Sequence, residues 1–409
     1  MAKISPARFG SRLLTCPYCY ERIELRGIMF LCNGRVSRTG NQCRLRPDPI
    51  LEARTGVQRE GGPVFAADGR KKTAQCPECA SETRYRLCPV CHSHLPTEFG
   101  LVDDLLIAMV GSKGSGKTVY MTVLVHEMMH RMGAQLDAAI MAADDDTRLR
   151  FAARYEDLLY VDRQMPVSTP SANVAGNRVA PLVFRFSMTG RRLLGTAPTH
   201  TLLSFFDAAG EDLISQESMD LNGRYLGNAD GIILLLDPLQ LSGARRDAAP
   251  GTVLPDTAIV SDNPENVLLR ITDLLRSAPG ISSRKAIDTP LAVVFPKMDA
   301  LTHTLGPGSP LLAAPPGGDR FDVTDSMDVH VETMRLLKQW SAEQIDQIVA
   351  KNYSRHRYFG VSALGANPTE DLRAPMDGIR PYRVTDPFLW LLSELGAIEK
   401  AKDTGGRRA

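Results

Sequence analysis

The stretch with the plainest chemistry in this 409-residue chain is G-S-K-G-S-G-K-T, Gly111 to Thr118, set between the apolar runs LLIAMV and VYMTVLV. It fits G-x-x-x-x-G-K-[ST]. The backbone N–H groups of Gly111, Lys113, Gly114, Ser115 and Gly116 can wrap a polyphosphate, and the following helix adds the partial positive charge of its N-terminus. Lys117 reaches the β- and γ-phosphates, and the Thr118 hydroxyl can ligate Mg²⁺. A glycine-rich turn that binds nothing is the alternative, and the strand before and helix after the loop argue against it.

Three later strand ends carry matching chemistry. LLSFFDAAGED places Asp207 at a strand terminus with Gly210 three residues on. That spacing sets a carboxylate near Mg²⁺ and a backbone N–H near the γ-phosphate. Glu211 follows, where it would serve as a general base or repel the phosphate. AVVFPKMDAL ends a strand with Lys297 and Asp299: the aspartate accepts from the guanine ring N–H and exocyclic amine, and the lysine stem lies over the base. Adenine lacks that donor pair. Charged hydrogen bonds contribute about 1.5–3 kcal/mol each, so two of them favour guanine by roughly 100-fold or more. GVSALG supplies Ser362, Ala363 and Leu364, with the Ala363 N–H facing the guanine carbonyl. For the second Mg²⁺ hydroxyl the choice falls on Thr169 in MPVSTPSAN, with Ser168 and Thr147 as rivals and an ordinary loop hydroxyl as an equal alternative.

All eight cysteines precede residue 92. Cys76, Cys79, Cys88 and Cys91 form C-x2-C-x8-C-x2-C, a spacing that lets four thiolates surround one tetrahedral Zn²⁺. Cys16 and Cys19 then take Cys32 and Cys43 as partners in a second, less regular site. His92 and His94 adjoin the first set as alternative ligands. Four cysteines leave no open position, so both sites read as structural, replacing a core that so short a segment cannot build.

One motif reads as a decoy. H-E-M-M-H, His126 to His130, matches the zinc-protease pattern, yet it lies on the helix that begins at the glycine loop and no downstream third ligand stands out. The Asp144–Asp146 run reads as solvated, the Met128–Met129 pair as core, and Asp237 as either a neighbour of the sugar or a cap for the next turn.

The elements that must position these groups follow from periodicity. Strands are expected at 105–110, 181–188, 201–207, 231–237, 291–297 and 357–363, the second and third as a hairpin. Helices are expected at 117–132, 212–226, 263–277, 328–350 and 386–397. Short continuous apolar runs alternating with helices predict an α/β three-layer sandwich with a mostly parallel sheet, its ligands at the carboxyl ends of the strands. Extra loops are expected at about 142–178, 238–262 and 302–327. The organisation reads as a zinc ribbon over 1–53, a linker over 54–75, a second ribbon over 76–98, a nucleotide domain over 101–397, and a disordered tail over 398–409.

Composition narrows the class. Lys and Arg total 48 against 47 Asp and Glu, so bulk charge favours no polyanionic partner. The first hundred residues carry 16 Lys and Arg against 9 Asp and Glu, an excess that eight thiolates on two Zn²⁺ cut to about +3. Protein docking is therefore favoured over nucleic-acid binding for the ribbons, with Tyr18, Tyr20, Phe30 and Tyr85 packing them. No apolar run reaches the roughly 18 residues of a membrane span, and the start lacks a signal peptide's apolar region, so a cytoplasmic protein without membrane contact is expected.

GSKGSGKT, DAAG, PKMD and SAL, in this order and strand context, resemble the P-loop GTPases of the translation-factor-related (TRAFAC) class over residues 101 to 397. The resemblance implies a Ras-like fold, GTP and GDP as ligands, Mg²⁺, and hydrolysis that drives a molecular switch. With the cysteine modules and insertions, the chain also resembles the double-GTPase families of bacterial conflict systems, which implies a second GTPase encoded nearby as partner. It departs from the class at Pro296, where Asn or Thr usually braces the glycine loop, and at Glu211, where many members carry a water-orienting Gln. A non-hydrolysing nucleotide-binding scaffold is the alternative function, and an ATPase acting on nucleic acid the second. The ATPase would want an acidic residue after Asp207, where Ala208 stands.

Overall fold

The computed structural model describes residues 13–97, 99–100, 103–112, 114–133, 138–166, 181–192, 195–205, 223–255, 263–278, 281, 285–317, 320–369 and 371–401. Among its described residues the cysteine-bearing region contains nine short strands: β1 (Leu13–Thr15), β2 (Arg22–Glu24), β3 (Met29–Leu31), β4 (Arg46–Pro47), β5 (Glu60–Gly61), β6 (Val64–Ala66), β7 (Ala74–Gln75), β8 (Glu82–Thr83) and β9 (Tyr85–Leu87). Its centre is a three-stranded sheet in the order β6-β3-β9, antiparallel throughout. Segment 54–75 is therefore more than a linker, because β6 pairs with the strand that leads to Cys32. The two expected ribbons are one interleaved unit.

The second region is built on seven strands: β10 (Asp103–Gly111), β11 (Ala138–Ala142), β12 (Leu182–Arg192), β13 (Gly195–Phe205), β14 (Gly231–Leu235), β15 (Leu291–Phe295) and β16 (His356–Gly360). Their order is β11-β12-β13-β10-β14-β15-β16. β12 and β13 form the expected hairpin, and β13, β10, β14, β15 and β16 run parallel. Every residue of β14 and β15 is buried, as continuous apolar runs covered on both faces require.

Register sets the site. Gly111 pairs with Leu235, Leu235 with Val294, and Phe295 with Gly360. The segments that follow β10, β14, β15 and β16 therefore leave the sheet side by side along one edge. The helix Lys117–Glu127 is apolar nearly all round, with Val119, Tyr120, Met121, Val123, Leu124 and Val125 buried, so it lies inside the sandwich and cannot be a surface helix.

Several expected elements differ. The 142–178 region opens with a helix, Asp145–Phe151, continued by π-helical turns over Ala152–Val161, and β11 before it is an extra edge strand that sequence reading missed. The helix expected over 328–350 is two, Val323–Gln339 and Glu343–Asn352, split at Ser341, which has φ of 56°. Met128 is buried as expected, while Met129 is exposed.

The two regions pack directly. Tyr20 is fully buried in the core of the nucleotide domain, its ring 4.8 Å from that of Tyr225. Ser204 Oγ donates to the Pro17 carbonyl at 3.0 Å, Asn228 to the Tyr20 carbonyl at 2.9 Å, and Arg224 pairs with Glu21 at 2.5 Å. Tyr18 donates to Asp144 at 2.7 Å. Tyr18 and Tyr20, expected to pack the ribbons, thus also join the interface between the two regions.

Candidate functional site

Gly111 ends β10 where any side chain would collide: a Cβ there would lie 2.7 Å from both the Leu235 carbonyl oxygen and Ser115 Oγ. Gly114 and Gly116 have φ of 72° and 83°, the left-handed region that turns successive N–H groups the same way. A Cβ on Gly114 would meet nothing within 4 Å, so this side of the loop is open. The helix begins at Lys117 after a glycine N-cap, Gly116, which has no side chain to cap it, and a helix N-terminus of this kind suits an anion. Lys117 is buried and Thr118 half-buried at this mouth. The geometry is that of a phosphate cradle.

The base-side residues stand beside it. Lys297 follows Pro296 with φ of 62°, and this left-handed turn throws its side chain across the loop. Nζ donates to the Gly114 carbonyl at 2.8 Å and pairs with Asp237 at 2.5 Å. Asp237 is fully buried and also accepts from Leu239 N at 3.0 Å. Of the two readings of Asp237, the cap is the observed one, with the Lys297 pairing added. Pro296 supplies no bracing side chain, and Lys297 itself ties strand end to loop.

Two residues on, Asp299 Oδ1 accepts from Ser362 Oγ at 2.5 Å, and Ser362 Oγ accepts from Gly365 N at 2.9 Å. A further pair of backbone bonds, Ser362 N to the Tyr382 carbonyl at 3.0 Å and Tyr382 N to the Ser362 carbonyl at 2.7 Å, fixes this turn. Burial pushes the Asp299 carboxyl above its ordinary range, and the Ser362 hydroxyl partly opposes that. Ala363 and Leu364 are buried next to it. Lys297 thus bonds to the glycine loop, and Asp299, two residues on, bonds to Ser362 at the end of the neighbouring strand.

Lys113, Thr169, Asp207, Gly210 and Glu211 lie outside the described residues. Of the rivals to Thr169, Ser168 also lies outside them. Thr147 is buried and its hydroxyl accepts from Val183 N at 3.3 Å, which commits it to the fold. Asp144 caps its helix through Thr147 N at 2.6 Å, Asp145 pairs with Arg148, and Asp146 pairs with Arg150.

The cysteines group differently from the sequence expectation. Cys16, Cys19, Cys88 and Cys91 converge in one set, and Cys32, Cys43, Cys76 and Cys79 in the other. The reason is the antiparallel pairing of β3 with β9, Leu31 opposite Tyr85 and Met29 opposite Leu87. Each strand delivers a cysteine at its far end, Cys32 from β3 and Cys88 from β9, so the two leave in opposite directions. The chain from Glu82 to Leu87 is largely extended, spanning roughly 20 Å at about 3.3 Å per residue, so Cys79 and Cys88 cannot share an ion. Spacing carried no signal against the consecutive reading: C-P-x-C occurs three times, at 16–19, 76–79 and 88–91, and either grouping puts two of these knuckles in one set and one in the other. Each knuckle turns at a left-handed residue, Tyr20, Ala80 and His92.

The S···S separations test the metal. Cys16–Cys91 is 3.9 Å, Cys19–Cys88 3.7 Å, Cys32–Cys79 3.7 Å and Cys43–Cys76 3.8 Å. Four sulfurs about 2.3 Å from a central Zn²⁺ stand roughly 3.8 Å apart along each tetrahedral edge. A disulfide would bring them to about 2.05 Å. Both sets fit Zn²⁺. The Ser81 hydroxyl, 3.0 Å from Cys79, draws that thiol down to about 6. His92 is committed to Asp48 at 2.9 Å and His94 stacks edge-on to Tyr85, so neither serves as an alternative ligand.

Comparison with known proteins identifies the family. The double-GTPase 2 family matches residues 105–309, half of the chain. The chain belongs to the double-GTPase 2 family. Its nucleotide region is therefore a P-loop GTPase domain that binds guanine nucleotide, preceded by a module with two four-cysteine sites. Over 94% of its length, and 99% of the relative's, the chain is 26% identical to a putative ESX-1 scaffolding and assembly protein, SaeC, of Mycolicibacterium smegmatis. Among solved structures it is similar to a bacterial selenocysteine-specific elongation factor, EF-Sec (13% identity, 73% of this chain and 30% of that one, TM-score 0.29). It is also similar to the signal recognition particle receptor SRb-GTP/SRX complex of Chaetomium thermophilum (14% identity, 65% of this chain and 94% of that one, TM-score 0.27). Among the described residues no helix is long and apolar enough to cross a membrane.

Proposed function

We propose that this double-GTPase 2 protein is a Mg²⁺-dependent GTP hydrolase that works as a molecular switch, with its zinc module docking a protein partner. The observation that carries the reading is the bridge from Lys297 to the Gly114 carbonyl. It supports a reading in which Asp299, two residues on, takes the guanine edge while the glycine loop takes the phosphates. Thr118, with Asp207 and Thr169, would hold Mg²⁺, which neutralises charge between the β- and γ-phosphates. Gly210 and Thr169 would follow the γ-phosphate and relax when it leaves, and Glu211 would stand at the attacking water.

Calorimetric titration with GTP, GDP and ATP, followed by phosphate release from GTP, tests this. Binding of both guanine nucleotides, little binding of ATP, and turnover abolished by Lys117→Ala support the switch. Equal turnover of ATP defeats the guanine assignment.

A second reading is a non-hydrolysing scaffold. Two observations favour it: Glu211 in place of a neutral water-orienting side chain, and a similar protein that carries a scaffolding and assembly name. Tight GTP binding without turnover, unchanged in Glu211→Gln, selects the scaffold. Under either reading the partner is a protein, and a second GTPase encoded nearby is the candidate.

A further inference from the structure

The H-E-M-M-H motif, a decoy in the sequence, gains a third ligand in the fold. His126 Nδ1 lies 2.6 Å from Glu156 Oε1, and His130 Nε2 lies 3.4 Å from the same oxygen. The ligand atoms of all three residues fall within 4.8 Å of one another. Glu156 comes from the π-helical segment Ala152–Val161, which no periodicity argument brings to the helix Lys117–Glu127. His130 sits in π-helical turns as well, over Met128–Met132. Wide turns of this kind recur where helices build sites.

We infer that His126, His130 and Glu156 form a third metal site, separate from both cysteine sites, that takes a borderline divalent cation such as Zn²⁺ or Co²⁺. Two imidazoles and one carboxylate suit Zn²⁺ and its neighbours, whereas Mg²⁺ and Ca²⁺ want oxygen ligands. Ligand atoms about 2.0–2.1 Å from a tetrahedral ion stand roughly 3.3 Å apart. The His130–Glu156 separation, 3.4 Å, is close to this value, and the His126–Glu156 pair must open by about 0.7 Å, within reach of a rotation of the partly buried carboxylate. His126 is held in place by the Tyr160 ring, stacked at 3.9 Å and 20°. The His130 side chain, 53% exposed, leaves an entry path and a coordination position for water.

The intervening Glu127 is paired with Arg131 at 3.1 Å, so the site is assigned to binding without peptide hydrolysis. The ion would clasp the helix that starts at Lys117 to the segment 145–161, which Asp144 in turn ties to Tyr18 of the zinc module.

The test uses the full untagged chain with both cysteine sites loaded with Zn²⁺. Dialysis against micromolar free Zn²⁺ and elemental analysis should give three zinc ions per chain. His126→Ala/His130→Ala and, independently, the near-isosteric Glu156→Gln should give two, with unchanged far-UV dichroism. Co²⁺ added to the two-zinc protein should give visible d–d bands without a thiolate charge-transfer band. Two zinc ions in the parent, three in the variants, or a thiolate band on adding Co²⁺ would each overturn the assignment.

Discussion

The Lys297 ammonium donates to the Gly114 carbonyl at 2.8 Å, joining the end of β15 to the loop after β10. The same group neutralises Asp237, whose side chain is fully buried. Lys297→Ala therefore removes two things at once, a brace on the phosphate loop and the partner of a buried carboxylate. Hydrogen bonds to charged groups contribute about 1.5–3 kcal/mol, so GTP affinity should fall roughly 10- to 100-fold, read by calorimetry. Thermal stability should fall as well. Adding Asp237→Asn should restore much of the melting temperature and none of the affinity. A double variant that recovers both would show the loop needs no brace.

Asp299 gives a pH dependence whose two signs differ. Burial raises its folded pKa, so between the ordinary aspartate value and the raised one the native chain holds a proton that the unfolded chain has already lost. The stability of the nucleotide-free protein should decline as pH rises through the window between the ordinary aspartate range and the raised value. GTP binding needs the carboxylate, so affinity should instead increase across the same window. Ser362→Ala removes a group that lowers this pKa, and should move the affinity midpoint to higher pH. Asp299→Asn should bind GTP weakly with a flat profile. A midpoint in the ordinary aspartate range in the parent protein would contradict the burial argument.

The placing of three of the candidate nucleotide segments was legible because each is a short segment whose position follows from strand order. GSKGSGKT, PKMD and SAL each follow an apolar run, and parallel pairing of β10, β14, β15 and β16 places whatever follows them along one edge. The bond from Lys297 to Gly114 was not legible, since it depends on a left-handed turn at a lysine. The cysteine grouping was misread for a related reason: local spacing reports which thiolates leave one turn together, while the antiparallel β3–β9 pair decides which turns meet. Glu156 was invisible because its approach to His126 depends on how a π-helical segment packs, and no spacing rule covers that contact.

The interleaved cysteines make a prediction that consecutive ribbons invert. Cys16 and Cys88 belong to one set, so Cys16→Ala/Cys88→Ala should lose one of the two thiolate-bound zinc ions and keep the other. Cys16→Ala/Cys32→Ala cuts both sets and should lose both. Consecutive ribbons would give the reverse. Co²⁺ substitution, with its thiolate charge-transfer band counted per chain, reads the difference directly.

The last prediction concerns how firmly the zinc module is joined to the GTPase domain. Tyr20 follows the first knuckle and is fully buried against Tyr225, so its ring belongs to the core of a domain that begins some eighty residues later. Truncating a buried aromatic costs about 3–5 kcal/mol, because transfer and cavity terms add. Tyr20→Ala should therefore lower the melting temperature of the GTPase domain as much as that of the zinc module, in one transition. Tyr85→Ala, at an exposed ring, should change stability by about 0.5 kcal/mol or less. Removing zinc with a chelator should destabilise GTP binding through the same contact, because the knuckle that aims Tyr20 is closed by Cys16 and Cys19. A GTPase transition that ignores both Tyr20→Ala and chelation would mean that the two regions fold independently.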